Sequence, residues 1–439
     1  MDFNKIKKLN EKCPQFIKVA CAPFIRGKLI KNKVFINTYK EINQFNSLSE
    51  EEKDLQQFKK LKDNLIYCYN NVQYYKDLFD KVNFDPYKIT SFEDIKTIPY
   101  LTKEIVIENE GKLLSKENIN YYLAFTGGST GKPLSIYLDK ESIYKERAFV
   151  YNYWGKLGYD VKKSKMVTFR GLEFEGKTYK YNPIYKEIVI SPFKLNENTL
   201  DEYIKIIRRF KPQFICGYPS ALMNFCRLLK KNKESLVFKG VFFISENCTL
   251  EEKEYVEGVL KCKSAIFYGH SERAVFAERY DDTYVFNKLY GYTELIPTEE
   301  ENKYRIVCTG FLNKKMPLVR YMTDDIAVIQ DGNIDIIGHR DKEMLIGKNN
   351  ESISITSINF HTDVFKKINQ YQFEQFEKGK AVLKVVQEEP INEDDILLMN
   401  KAIAKKLNNV LEVEIKIVDD ISLSNRGKIK RIIQHIKTE

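Results

Sequence analysis

The chain has 439 residues with 71 Lys+Arg against 61 Asp+Glu, a formal net charge of +10. Its 43% hydrophobic and 13% aromatic content is enough to build sizeable cores and excludes a globally disordered chain. No run of about 18 uncharged apolar residues suggests a membrane span, and the start MDFNKIKKLNEK leads into no secretory signal.

The first ~115 residues read as mainly helical. Pro14–Phe24 is apolar but broken by Lys18 and followed by Arg26, which suits a core or edge helix rather than an interfacial membrane segment. A long helix is expected from Ser47 through an acidic first turn, with Leu55, Phe58, Leu61, Leu65, Ile66 and Cys68 at helical spacing. From about residue 120 strands and helices alternate. Tyr121–Phe125 and Pro133–Leu138 read as strands flanking a Gly-rich loop. KPQFICGY runs into a helix that starts at Pro219 and carries Leu222, Phe225, Leu228 and Leu229 on one face. VFFIS is a buried strand, and Thr249 with Glu252 forms a capping box for the next helix. Strands around 303–309, 326–330 and 333–337 suggest an antiparallel layer with a turn at Asp331-Gly332. Beyond a break near 340 come a strand at Ala381–Val386, a helix at Asn392–Leu407, a strand at Leu411–Val418 and a basic tail. The fold class is therefore α/β, with several βα units and a small α+β unit at the C-terminus.

The eight cysteines contain no CxxC pair and read as reduced, mostly buried thiols. The mild positive balance selects no partner by itself. Four local patterns carry more. Thr126-Gly127-Gly128-Ser129-Thr130-Gly131-Lys132-Pro133 is a loop whose N–H groups and hydroxyls suit phosphate oxygens. It is not GxxxxGK[ST], because position 126 is Thr and Pro133 follows Lys132. Tyr268-Gly269-His270-Ser271-Glu272 follows an apolar strand and offers a ring for a base and a carboxylate for Mg²⁺; an ordinary turn explains it equally well. Asp325 and Arg340, in PLVRYMTDD and GHRDK, suit ribose and phosphate, against a solvated turn with a surface ion pair. Gly427-Lys428-Ile429-Lys430-Arg431 reads by default as a basic tail.

Their order and spacing resemble the adenylate-forming acyl ligase superfamily, most closely the phenylacetate-CoA ligase branch and its capsular polysaccharide biosynthesis (CapK-type) members. The likeness runs from about Ser47 to the end. Pro99-Tyr100-Leu101-Thr102-Lys103 matches P-x-L-T-K, TGGSTGKP is similar to TSGTTGKP, and Tyr218-Pro219-Ser220 to YPS. YGHSE matches Y-G-x-[ST]-E, PLVRYMTDDIA resembles PLIRYRTGDIA, and GKIKR resembles GK-x-x-R. YGHSERAVFAE followed by YGYTELI is similar to the capsular subgroup.

The resemblance implies a large domain, with a helical part at 1–115 and an α/β part at 116–341, and a mobile lid at 342–439. It implies that Thr126 to Lys132 hold the ATP phosphates, Ser245-Glu246-Asn247 line adenine, Tyr268 packs against it within Tyr268–Ser271, and Glu272 holds Mg²⁺. Asp325 would bind ribose, Arg340 ribose and phosphate, Lys342 would be the hinge, and Lys428 the catalytic lysine. Arg170, Tyr218 and the His270–Val275 stretch with Arg273 and Ala274 are expected near the acid. ATP and Mg²⁺ would be used, with CoA as one candidate acceptor, and the partners would be a small carboxylate and a thiol or amine acceptor. Nucleic acid and zinc are not expected, since Tyr280 and Asn287 stand near where some relatives have zinc ligands. Departures fall at Asp324, His339, Asn349, Asn350 and Ile355. The expected activity is adenylation of an acid in the cytoplasm followed by acyl transfer; a weak nucleotide-binding scaffold is the alternative. A kinase is disfavoured by the missing GxxxxGK[ST].

Overall fold

A computed structural model describes residues 19, 21–23, 25–27, 31–126, 134–171, 177–246, 248–337, 344–354, 358, 363–407, 410–421 and 432–436. The helical N-terminal part holds α1 (Lys33–Asn46), α2 (Glu50–Asn71), α3 (Gln73–Lys81) and α4 (Lys103–Glu108). The α2 cap is Ser49, not Ser47: Glu52 N–H donates to Ser49 Oγ and Ser49 N–H to Glu52 Oε2. Ser47 instead ends α1, and at Val72 the extended backbone separates α2 from α3. Leu61, Leu65, Cys68, Tyr75 and Phe79 from this part form one core with Val106 of α4.

The strands β1 (Tyr121–Thr126) and β2 (Leu134–Asp139) pair antiparallel and lead into α5 (Lys140–Gly155), capped by Asp139. The main sheet is built from β3 (Met166–Phe169), β4 (Tyr179–Asn182), β5 (Glu187–Ile190), β6 (Phe214–Gly217), β7 (Gly240–Phe243), β8 (Lys263–Gly269), β9 (Phe276–Tyr280) and β10 (Thr283–Phe286). Their order is β10-β9-β8-β7-β6-β3-β5-β4, with β8, β7, β6, β3 and β5 parallel.

Helices α6 (Leu200–Phe210), α7 (Pro219–Lys231) and α8 (Leu250–Leu260) pack on one face of this sheet. The other face is covered by Tyr153, Trp154 and Tyr159, with Trp154 stacked on Phe242 at 4.3 Å. Burial on both faces explains why these short strands read as unbroken apolar runs. Along β7, Val241 and Phe243 enter one core and Phe242 the other.

An antiparallel sheet follows, ordered β11 (Gly291–Pro297), β12 (Lys303–Gly310), β13 (Tyr321–Gln330), β14 (Asn333–Ile337). The β13–β14 turn puts Asp331 at φ +50° and Gly332 at φ +80°, the hairpin geometry expected of an Asp-Gly pair. The C-terminal part contains a two-stranded pair, β15 (Met344–Ile346) with β16 (Ser352–Ser354), and a second four-stranded sheet. That sheet comprises β17 (Ile368–Glu377), β18 (Lys380–Gln387), β19 (Glu412–Ile417) and β20 (Ile432–Gln434), ordered β19-β18-β17-β20. Helix α9 (Glu393–Leu407) lies over it, and its core also takes in Phe193 from the main part of the chain. No helix among the described residues is long and apolar enough to cross a membrane.

Candidate active site

Five candidate residues leave the carboxyl ends of four adjacent parallel strands. Arg170 follows β3, Tyr218 follows β6, Ser245 and Glu246 follow β7, and His270 follows β8. In open α/β sheets this edge is where ligands bind. Ser245 is exposed with φ +64°, and Glu246 accepts from Ser220 N–H at the start of α7 (3.2 Å).

The loop after β8 meets β13. Tyr268 donates its phenol proton to Asp325 Oδ2 (2.8 Å), and Tyr321 donates to Glu272 Oε1 (3.3 Å). His270 Nδ1 lies 3.0 Å from Glu272 Oε2, within ion-pair distance but not aligned for a hydrogen bond. Cys308 of β12 lies beneath, its Sγ 4.0 Å from His270 Nε2.

Burial raises the Tyr268 phenol well above its ordinary value, and the Asp325 charge adds to it. At Glu272 burial favours the protonated form, but the His270 charge together with hydrogen bonds, among them that from Tyr321, holds the carboxyl below its ordinary value. Burial opposes the charge on His270, but Glu272 and Cys308 together restore it, so the imidazole stays above its ordinary value. Burial also raises the Cys308 thiol.

Two glycines seat this loop. A Cβ on Gly310 would lie 2.7 Å from Ala274 Cα, and one on Gly291 would lie 2.7 Å from Ala274 O. The paired strands β11 and β12 therefore let Arg273 and Ala274 rest directly on their backbone. Ala274 is buried there in the core beneath the loop. Arg273, at φ +54°, pairs with Glu146 of α5 (2.5 Å) and donates to Ser142 Oγ (2.9 Å). Just before β13, Arg320 donates from Nε and Nη2 to the two Glu294 oxygens of β11 at 2.9 and 2.8 Å. Its Nη1 donates to the carbonyls of Lys96 and Ile98, tying in the P-x-L-T-K segment. The R of PLVRY marks this position in the sequence, but not its buried partner 26 residues upstream.

Tyr268, His270, Glu272 and Asp325 are thus brought together; Gly269 ends β8 and Ser271 lies in the loop that follows. Thr126 ends β1, and its side chain lies outside the described residues. Gly127 to Lys132, Asn247, Arg340, Lys342 and Lys428 also lie outside them. At the loop after β15, Asn350 takes φ +64°, the left-handed conformation that glycine ordinarily supplies. Glu351 closes that loop by accepting from Asn349 N–H (2.8 Å) and Nδ2 (3.1 Å).

Glu272 suits a divalent cation carried in on phosphates: it is buried, ionised and a single carboxylate. Among the described residues, no three His, Cys, Asp or Glu side chains group to hold a metal by themselves. Tyr280 and Asn287 converge on Glu278, whose carboxylate also pairs with Lys156 (2.7 Å).

No family model matches the chain. Protein CapK of Staphylococcus aureus is 24% identical over 440 residues, spanning 94% of this chain and 96% of CapK. Phenylacetate-coenzyme A ligase of Escherichia coli K12 is 20% identical over 425 residues, 90% of this chain and 96% of that protein. Among solved structures, 2-hydroxyisobutyryl-CoA ligase in the postadenylation state with R3-HIB-AMP superposes with a TM-score of 0.53. It is 14% identical over 88% of this chain and 90% of that one. The same ligase with 2-HIB-AMP and CoA in the thioesterification state also gives 0.53, at 14% identity, 88% and 91% coverage. The fold is that of the adenylate-forming acyl ligases. In sequence the chain is similar to CapK and, more distantly, to phenylacetate-coenzyme A ligase.

Proposed function

We propose that this chain is an AMP-forming ligase: it activates a carboxylic acid with ATP, releasing pyrophosphate, and passes the acyl group to a thiol or an amine. The observation that carries the reading is the meeting of Tyr268, Glu272 and Asp325 at the end of β8, in a chain whose relatives include a phenylacetate-coenzyme A ligase.

The chemistry asks for charge neutralisation rather than a base. A carboxylate oxygen attacks the α-phosphorus, and the nucleophile is already ionised, so no proton has to be removed. Repulsion between the acid and the triphosphate must be offset by fixed donors and cations. Thr126 to Lys132 would cradle the departing pyrophosphate, and Ser245 to Asn247 would border adenine beside Tyr268. Asp325, its geometry fixed by Tyr268, would accept from ribose hydroxyls, and Arg340 would pair with ribose and phosphate. Glu272 would hold Mg²⁺, which when bound neutralises phosphate charge. Lys428, carried by a lid of residues 342–439 turning about Lys342, would contact the attacking and α-phosphate oxygens.

A thiol acceptor of the CoA type follows the phenylacetate-coenzyme A ligase relative, and an amine acceptor in surface polysaccharide synthesis follows CapK. The reaction would run in the cytoplasm, where ATP is present. The experiment is acid-dependent exchange of labelled pyrophosphate into ATP across aryl, fatty and amino acids. Exchange requiring both an acid and Mg²⁺ supports the reading. ATP binding without exchange for any carboxylate would instead make the chain a nucleotide-binding scaffold.

A further inference from the structure

Arg170 sits where β3 ends, its N–H donating to Ile190 O (3.2 Å) so that it continues the strand beside β5. Its charge acts on Tyr218 and on buried Cys216, both from the adjacent strand β6 and its end. Burial pushes the Tyr218 phenol up to about 12; Glu246 adds to the shift and Arg170 opposes it. The ring therefore stays neutral between a cation and a carboxylate. Arg170 Nε is buried without a hydrogen-bond partner, and no ion pair joins the guanidinium to a carboxylate among the described residues. Glu246, across Tyr218, is directed to Ser220 N–H instead.

Arg170 is half-buried, its Nε is withdrawn from water and no carboxylate pairs with it among the described residues, and its planar fork of donors matches a carboxylate. A bound ligand would supply the missing anion. The reacting carboxylate cannot be that group under the reading above, because it must lie by the nucleotide at the ends of β7 and β8. Arg170 is three strands from β8, roughly 14 Å at ordinary strand spacing.

We propose that Arg170 recognises a second carboxylate on the acid, so that the substrate is a dicarboxylic acid activated at its far end. This rests on the adenylation reading and adds the substrate class to it. Arg170 would be a specificity residue, with Tyr218 as the neutral wall beside the chain.

The test compares pyrophosphate exchange with diacids from succinate to suberate against their monomethyl esters. Wild-type protein should show a KM for its best diacid roughly 100-fold below that of the ester, the loss expected when one member of a desolvated charge pair is removed. Arg170→Gln should raise the diacid KM by a similar factor, leaving kcat and the KM for ATP unchanged. Arg170→Leu should level the diacid and the ester. If either variant fails to fold, Arg170→Lys decides: the charge persists without the fork, and the preference should fall about tenfold. Equal use of diacid and ester by wild-type protein overturns the inference, as does an Arg170→Gln effect confined to the acceptor. If no acid supports exchange, the adenylation reading fails. Calorimetric binding of suberate to wild-type protein and to Arg170→Gln then decides the inference, and equal affinity rejects it.

Discussion

The Tyr268 phenol and the Asp325 carboxylate meet at 2.8 Å, joining the carboxyl end of β8 to the middle of β13. One hydrogen bond thus sets the position of both the ring expected at adenine and the carboxylate expected at ribose. Tyr268→Phe keeps the ring and leaves Asp325 without this donor. The KM for ATP should rise about tenfold, the equivalent of one lost hydrogen bond to a charged group. Steady-state kinetics at saturating acid measures it, and a lowered melting temperature with unchanged KM would make the bond purely structural.

Glu272 and Tyr321 should act as one unit toward the divalent cation. Glu272→Gln removes the charge and should sharply raise the Mg²⁺ concentration for half-maximal exchange. Tyr321→Phe removes only the 3.3 Å hydrogen bond to Glu272 and should raise it about tenfold. A Mg²⁺ titration of both variants checks this, and identical curves for wild-type and Glu272→Gln would contradict the assignment.

The Arg320–Glu294 pair is almost wholly buried, at 4% and 6% side-chain exposure. Arg320→Met strands the Glu294 carboxylate and the carbonyls of Lys96 and Ile98, and should cost about 3–5 kcal/mol in urea unfolding. Adding Glu294→Leu should recover part of that loss, because the uncompensated charge is gone.

Two glycines give opposite outcomes for the same change. Gly310→Ala forces a Cβ within 2.7 Å of Ala274 Cα, should cost about 1–3 kcal/mol, and should raise the KM for ATP by shifting the loop that carries Glu272. Gly258→Ala in α8 meets open space and should stabilise by about 0.5–1 kcal/mol. Thermal unfolding of the two variants decides both.

Local signals in the sequence located the elements with strong local chemistry. Pro219 starts α7, Thr249 and Glu252 cap α8, and Asp331-Gly332 turns between β13 and β14, all as their residues imply. Leu55 was expected on the buried face of α2 but is 72% exposed, while Gln57 is buried and donates to Gly291 O. Tertiary contact, not periodicity, decides that face. The strand β17 is illegible because INQYQFEQFE is largely polar. Gln375 is nonetheless fully buried, donating to the carbonyls of Ile346, Glu377 and Lys380, and no local pattern announces such a hub. At the site, the YGHSE motif marks the loop, but Cys308, Tyr321 and the Gly291–Gly310 pair that hold it come from distant strands.

The most direct measurement separates the two half-reactions in Lys428→Ala. Acid-dependent pyrophosphate exchange should fall by two orders of magnitude or more, the scale on which one preorganised charge contact acts in a transition state. Acyl transfer from supplied acyl-AMP should survive. Equal loss of both activities, or undiminished exchange, would contradict the role given to Lys428 and the adenylation chemistry built on it.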